Sequence, residues 1–252
     1  MFIGHYGVAF ALKRAETALS LGVLFLAVQL ADILWPIFVL LGLDKHDINL
    51  GLTAARPLIF RYFPFGHDIL TLSIWAVLAF AIFMLLPIRF RGNKLWAGAI
   101  IAIGIISYYI LNLIMPDWPW IAGNSTKTGL GLWHYPLLLV LLELSFLWGG
   151  LWIYLRGTWG KGFWGKNGAV ALALLLTILE FIGMAGTPPN NPKLMSAIVL
   201  IVNAVIIGLA FRLDHLRIPV KIKIIYGNGL SKVKSADTNQ SSEERPKRRS
   251  VS

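Results

Sequence analysis

An all-α polytopic membrane bundle, with about six transmembrane helices and one short N-terminal helix, is the fold class this sequence predicts. Three observations carry it. Of the 252 residues, 57% are hydrophobic and only 14% charged, where soluble domains carry roughly a quarter charged residues. Mean hydropathy is +0.69. Several apolar runs also reach the about 20 residues needed to cross ~30 Å of hydrocarbon.

The first element is a short helix over residues 3–15, containing "FIGHYGVAF", that turns back near "AETALS". Lys13 and Arg14 follow its apolar stretch, and no small-residue cleavage pattern closes it. The N-terminus is therefore expected not to be a cleavable signal, and the first long span to stay as an anchor. Six runs then read as spans, at about 19–43, 69–87, 95–115, 132–155, 168–186 and 194–211. Their ends are marked by "LDKHD", "PIRFRGNK", "MPDWPW", "RGTWGKG", "GTPPNNP" and "RLDHLR", where proline, glycine and charge end helices. Residues 1–226 form the helical membrane domain. Residues 227–252, rich in Ser, Lys, Glu and Arg, form a disordered basic tail.

The net charge of +11 fits loops that follow the positive-inside rule better than it fits nucleic-acid binding. Loop 88–94 holds Arg89, Arg91 and Lys94, and loop 156–167 holds Arg156, Lys161 and Lys166. Loops 116–131 and 187–193 hold one lysine each, Lys127 and Lys193. Both ends of the bundle are thus expected on the cytoplasmic side. Loop 44–68, with Lys45, Arg56 and Arg61, weakens the bias and is the longest connection, a length associated with function or disorder. The repeated Trp-Gly-Lys unit at 159–161 and 164–166 reads as an interfacial hairpin among lipid headgroups. "NSTKTG" (124–129) has the form of a glycosylation sequon and matters only in a eukaryotic source. No cysteine is present, which excludes disulfides, thiolate catalysis and cysteine metal sites.

Within spans, polar side chains carry the information, because burying them in lipid requires a partner or a task. Gln29 and Asp32 lie three apart on one helical face. Glu143, Glu180, Asn112 and Asn203 lie in later spans. Pro36 leaves the Asp32 carbonyl without its helical N–H, so a kink is expected there. His5 lies roughly 12 residues before the turn near residue 17 and Asp32 roughly 14 after it, so at about 1.5 Å per residue both reach a depth of about 18–22 Å. The two are expected to meet. His67 and Asp68 open the second span, with His46 and Asp47 earlier in the same loop. Imidazole and carboxylate together suit zinc or manganese, although the spacing of His5, Asp32 and His67 matches no compact motif.

The blocks "FIGHYGVAFALKRA", "LGVLFLAVQLADILWPIFVLLGL", "YFPFGHDIL" and "TGLGLWHYPLLLVLLELSFLWGGLWIYLR" resemble, in order, a bacterial family of multi-pass inner-membrane proteins described as membrane-bound metal-dependent hydrolases. Some relatives are LexA-regulated, and the family is distantly similar to zinc-dependent phospholipase C. The resemblance implies a metal held by His5, Asp32 and His67. The chain departs from the family pattern in two places. Asp68 stands where members often have serine, and Ile59 where members often have aspartate.

Three functions compete. The first is a metal-dependent hydrolase acting at the outer leaflet on a lipid phosphoester, with His5, Asp32 and His67 on a divalent zinc or manganese ion and Asp68 as a fourth ligand or base. A transporter would use Asp32, Glu143 and Glu180 as charge relays, although no internal repeat is evident. In a non-catalytic membrane protein, the polar residues would only pack helices.

Overall fold

The computed structural model describes residues 3–43, 45–48, 58–62, 67–113, 118–119, 127–128, 132, 135–186 and 189–220, the strand segments 45–48, 58–62, 118–119 and 127–128 by backbone alone. The expected tail at 227–252 and the sequon at 124–126 lie outside the described residues.

The chain begins as expected, with helix α1 (Ile3–Ala15) followed by a turn at 16–20. Ser20 then caps α2 (Leu21–Val28), its Oγ accepting from the Gly22 N–H at 3.2 Å. The first long run is not one straight helix. It breaks at Gln29, whose φ of −105° and ψ of 9° end α2 and start α3 (Leu30–Leu40), with a bend of 60°. Pro36 lies inside α3, so the bend falls two turns before the proline, at a buried amide and not at the Asp32 carbonyl.

A two-stranded antiparallel sheet follows, β1 (Lys45–Ile48) with β2 (Leu58–Tyr62), pairing Asp47 with Ile59 and Ile48 with Leu58. The branched and aromatic residues of "LIFRY" favour extended backbone, and the all-helical expectation missed this pairing. Helix α4 (Ile69–Leu85) has 17 residues, about 25 Å at 1.5 Å per residue. Its last carbonyls at Met84 and Leu86 accept from Lys94 Nζ at 2.9 and 2.8 Å, which closes the turn into α5 (Lys94–Leu113). After β3 (Trp118–Pro119), paired with β4 (Lys127–Thr128), comes α6 (Pro136–Gly157), with proline at its start where no N–H is needed. Strand β5 (Thr158–Gly160) leads to α7 (Gly162–Ala185). Asn191 caps α8 (Pro192–His215), and β6 (Arg217–Pro219) pairs antiparallel with β5.

Among the described residues four helices, α5 to α8, are long and apolar enough to cross a membrane. The bent α2–α3 pair makes a fifth if taken as one span, and α4 is shorter. Where about six spans are expected, the described residues hold four full-length helices, one bent pair and one shorter apolar helix. The outward faces remain apolar, as with Leu70, Ile74, Val77 and Ile82 on α4, and Ile178, Phe181 and Ile182 on α7.

Helix α1 is the centre of the fold. It packs against α2, α5 and α6, and its Phe10 ring meets Phe25 edge-on at 5.2 Å and Tyr154 at 5.2 Å. The α1–α6 crossing is close enough to require glycine on both sides. A Cβ on Gly7 would overlap the Phe146 carbonyl, and one on Gly150 would overlap the Gly7 carbonyl. At its C-terminal end α1 is pinned by Lys13, whose buried amine donates to Thr17 O at 3.0 Å and Leu19 O at 2.5 Å and pairs with Asp214 Oδ1 at 2.8 Å.

The Trp-Gly-Lys repeat divides between elements. Trp159 sits in β5 and Trp164 on the first turn of α7, both indoles exposed. Beneath them Arg217 is buried, its guanidinium donating to the Thr158 Oγ1 and carbonyl and to the Gly165 carbonyl. This cation ties the segment after α8 to the α6–α7 connection.

Candidate functional site

His5 and Asp32, expected to meet, are joined through a third side chain, Tyr108. The His5 ring stacks on Tyr108 of α5, centroids 4.5 Å apart and planes 15° apart. The Tyr108 hydroxyl donates to Asp32 Oδ1 at 2.8 Å. His67 meets the same ring edge-on at 5.6 Å, at 76°. Three side chains named from sequence, distant from one another along the chain, thus converge on one phenol. A signal for Tyr108 existed: membrane tyrosines gather at the interfaces, whereas Tyr108 is the fifteenth residue of a 20-residue apolar helix and is buried.

Each expected site residue belongs to a helix start. His5 lies in the first turn of α1 and Asp32 in the first turn of α3, while His67 and Asp68 precede α4. Helix starts leave backbone N–H groups without intrahelical acceptors, and in a lipid-surrounded bundle those must be satisfied internally. Two carboxylates meet this need directly. Glu143 of α6, the eighth residue of that helix and so about 10 Å along it, accepts from the Ile3 N–H at 2.8 Å and the Gly4 N–H at 3.3 Å through Oε2. Asp68, expected as a fourth metal ligand or base, is the N-cap of α4. Its Oδ1 accepts from the Thr71 N–H at 3.0 Å and its Oδ2 from Thr71 Oγ1 at 2.8 Å. Asp32 stands in the first turn of α3, where a negative charge suits the helix dipole.

Neutral amides complete the set. The Tyr6 hydroxyl donates to Asn203 Oδ1 at 2.9 Å, Asn203 Nδ2 donates to the Val199 carbonyl at 3.0 Å, and Gln29 also hydrogen-bonds Tyr6. Asn112 and Glu180 are buried on α5 and α7. Burial pushes the His67 imidazole down to about 3, so it stays neutral across the physiological range.

The donor set does not fit a metal. Among the described residues no three His, Asp or Glu side chains are grouped so as to hold one ion. His5, Asp32 and His67 share Tyr108 as a neighbour, with the phenol ring standing at their centre. A divalent cation would also face the positive ends of three helices, an environment that favours anions. The His46 and Asp47 side chains lie outside the described residues.

Compared with protein-family models, curated proteins and solved structures, the chain matches none.

Proposed function

We propose that this chain is a non-catalytic integral membrane protein of the bacterial inner membrane, built like the membrane-bound hydrolases whose sequence blocks it resembles. Its buried polar residues hold helices that begin inside the bundle. One observation carries this reading: among the described residues, two helix starts have a carboxylate that accepts from their backbone N–H groups, Glu143 for α1 and Asp68 for α4, and Asp32 stands in the first turn of α3. In lipid, where water cannot serve the free N–H groups, such pairing is a requirement of folding.

The β5–β6 pairing sets the α6–α7 connection beside the segment after α8, and Lys13 bound to Asp214 brings the α1–α2 turn to the same end. Arg14, Arg156, Lys161, Lys166 and Arg212 gather there, which supports a cytoplasmic orientation for that end. Membrane lipids are the partners of the apolar outer faces.

The test is alanine substitution at His5, Asp32 and His67 in detergent-purified protein, followed by thermal unfolding. All three variants are expected to unfold earlier than the parent, without a distinctive loss of any lipid phosphoesterase activity. A variant as stable as the parent that abolishes phosphoester hydrolysis would overturn the reading.

A second reading, the hydrolase, is favoured by the convergence of His5, Asp32 and His67 on one point. It requires Tyr108 to leave that point before an ion and a lipid phosphoester can enter.

A further inference from the structure

The disagreement between the residues the resemblance marks as metal ligands and the geometry they adopt has a specific cause. Zinc ligands hold the ion at about 2.0–2.2 Å along the lone pair of an imidazole nitrogen or a carboxylate oxygen. Here the point that His5, Asp32 and His67 share is filled by the ring of Tyr108. The His5 imidazole lies nearly parallel to that ring, 15° off and 4.5 Å away, so its nitrogen lone pairs run alongside the phenol and do not point into it. Asp32 Oδ1 is already held by the phenol hydroxyl at 2.8 Å. His67 meets the ring edge-on at 5.6 Å.

We propose that Tyr108 occupies the place a divalent metal ion would need, so that His5, Asp32 and His67 form a closed centre that excludes the ion. The proposal deepens the structural reading above. It names Tyr108 as the residue that makes the centre structural. The phenol satisfies Asp32 by donating a hydrogen bond, where a cation would otherwise do so by charge, and its ring packs against the two imidazoles. Helices α1, α3 and α4 all start at this centre, and their positive ends further disfavour a second positive charge.

It follows that shortening and exchanging this one side chain opens the site. In Tyr108→His the longer phenol is gone, the hydroxyl on Asp32 is removed, His5 is released from its stacking partner so that a ring nitrogen can turn inward, and a third imidazole is added. The result is a three-nitrogen, one-carboxylate set of the kind zinc takes.

The experiment uses full-length protein in detergent, incubated with excess zinc, desalted and measured by atomic emission, with circular dichroism as the check of folding. The parent is expected to retain less than about 0.1 zinc per chain and Tyr108→His about one, lost again when His5→Ala is added to it. A parent that retains about one zinc, lost in His5→Ala, overturns the proposal. So does a folded Tyr108→His that retains no more zinc than the parent. Should Tyr108→His fail to fold, Tyr108→Ala replaces it, and zinc must then raise the unfolding temperature of that variant and not of the parent. Equal responses overturn the proposal.

The two readings fail separately. Zinc in the parent refutes exclusion by Tyr108, whereas unfolding of the zinc-free His5→Ala variant at the parent temperature refutes the anchoring role.

Discussion

Glu143 offers the sharpest test of how the bundle tolerates a helix that begins in its interior. Its Oε2 accepts from two backbone N–H groups of α1, at 2.8 Å from Ile3 and 3.3 Å from Gly4, and the glutamate is fully buried. In Glu143→Ala both donors lose this acceptor where no water replaces it. A hydrogen bond to a charged group contributes about 1.5–3 kcal/mol net, and the longer contact counts for less. The expected loss is about 2–4 kcal/mol, a fall of roughly 5–15 °C in unfolding temperature for a chain of this size. Glu143→Gln keeps an oxygen of the same reach, and its expected loss is about 1 kcal/mol.

The assay is thermal unfolding in detergent for parent, Gln and Ala variants, alongside proton-linked flux in reconstituted vesicles. The order parent, Gln, Ala with no flux in any of them supports the cap. An alanine variant within about 0.5 kcal/mol of the parent would refute it. A glutamine variant as stable as the parent that loses a flux the parent shows would restore the charge-relay reading.

The other predictions concern packing, the ion pair and pH. Gly150→Ala places a methyl on the Gly7 carbonyl and is expected to cost about 1–3 kcal/mol, whereas Gly149→Ala, which meets open space, is expected to be neutral or slightly stabilising; paired unfolding curves check the contrast. Lys13→Ala leaves Asp214 and two carbonyls without the buried amine, with an expected loss of about 3 kcal/mol, and a double-mutant cycle with Asp214→Ala should recover part of it. Because burial lowers the His67 value from 6.5 to about 3, the unfolded chain binds a proton between those values that the folded chain does not. Stability is therefore expected to be complete above pH 6.5 and to fall toward pH 3, by at most about 1.4 kcal/mol per unit, with a shallower fall in His67→Gln.

Depth and punctuation were legible in the sequence. The turn at 16–20 and the approach of His5 and Asp32 to a shared neighbour follow from counting residues at a fixed rise. The break at Gln29 was not legible, because an amide three residues before Asp32 reads equally well as a face-mate on a continuous helix. Its side chain is buried in the bundle, a setting that only tertiary packing supplies. Tyr108 escaped for a related reason. An unionised side chain in an apolar run gives no charge signal, and its role appears only when three other helices arrive at it.

The same reasoning changes what an intramembrane carboxylate means in this chain. The usual inference runs from burial cost to function: a charge in lipid persists because a pathway or a reaction needs it. Helices that start within the bundle create a second demand, since each presents up to four N–H groups with no partner along its own backbone. Glu143 reaches from α6 to α1, across 140 residues, and Asp68 caps its own helix from the preceding position. Sequence position distinguishes neither from a ligand, because the demand comes from where α1 and α4 begin and not from what surrounds the acid. Asp32 stands between the two cases, at a helix start and also on the Tyr108 hydroxyl. It shares Tyr108 as a neighbour with both histidines. If this bundle binds anything at its centre, Asp32 and Tyr108 are the pair that must separate first.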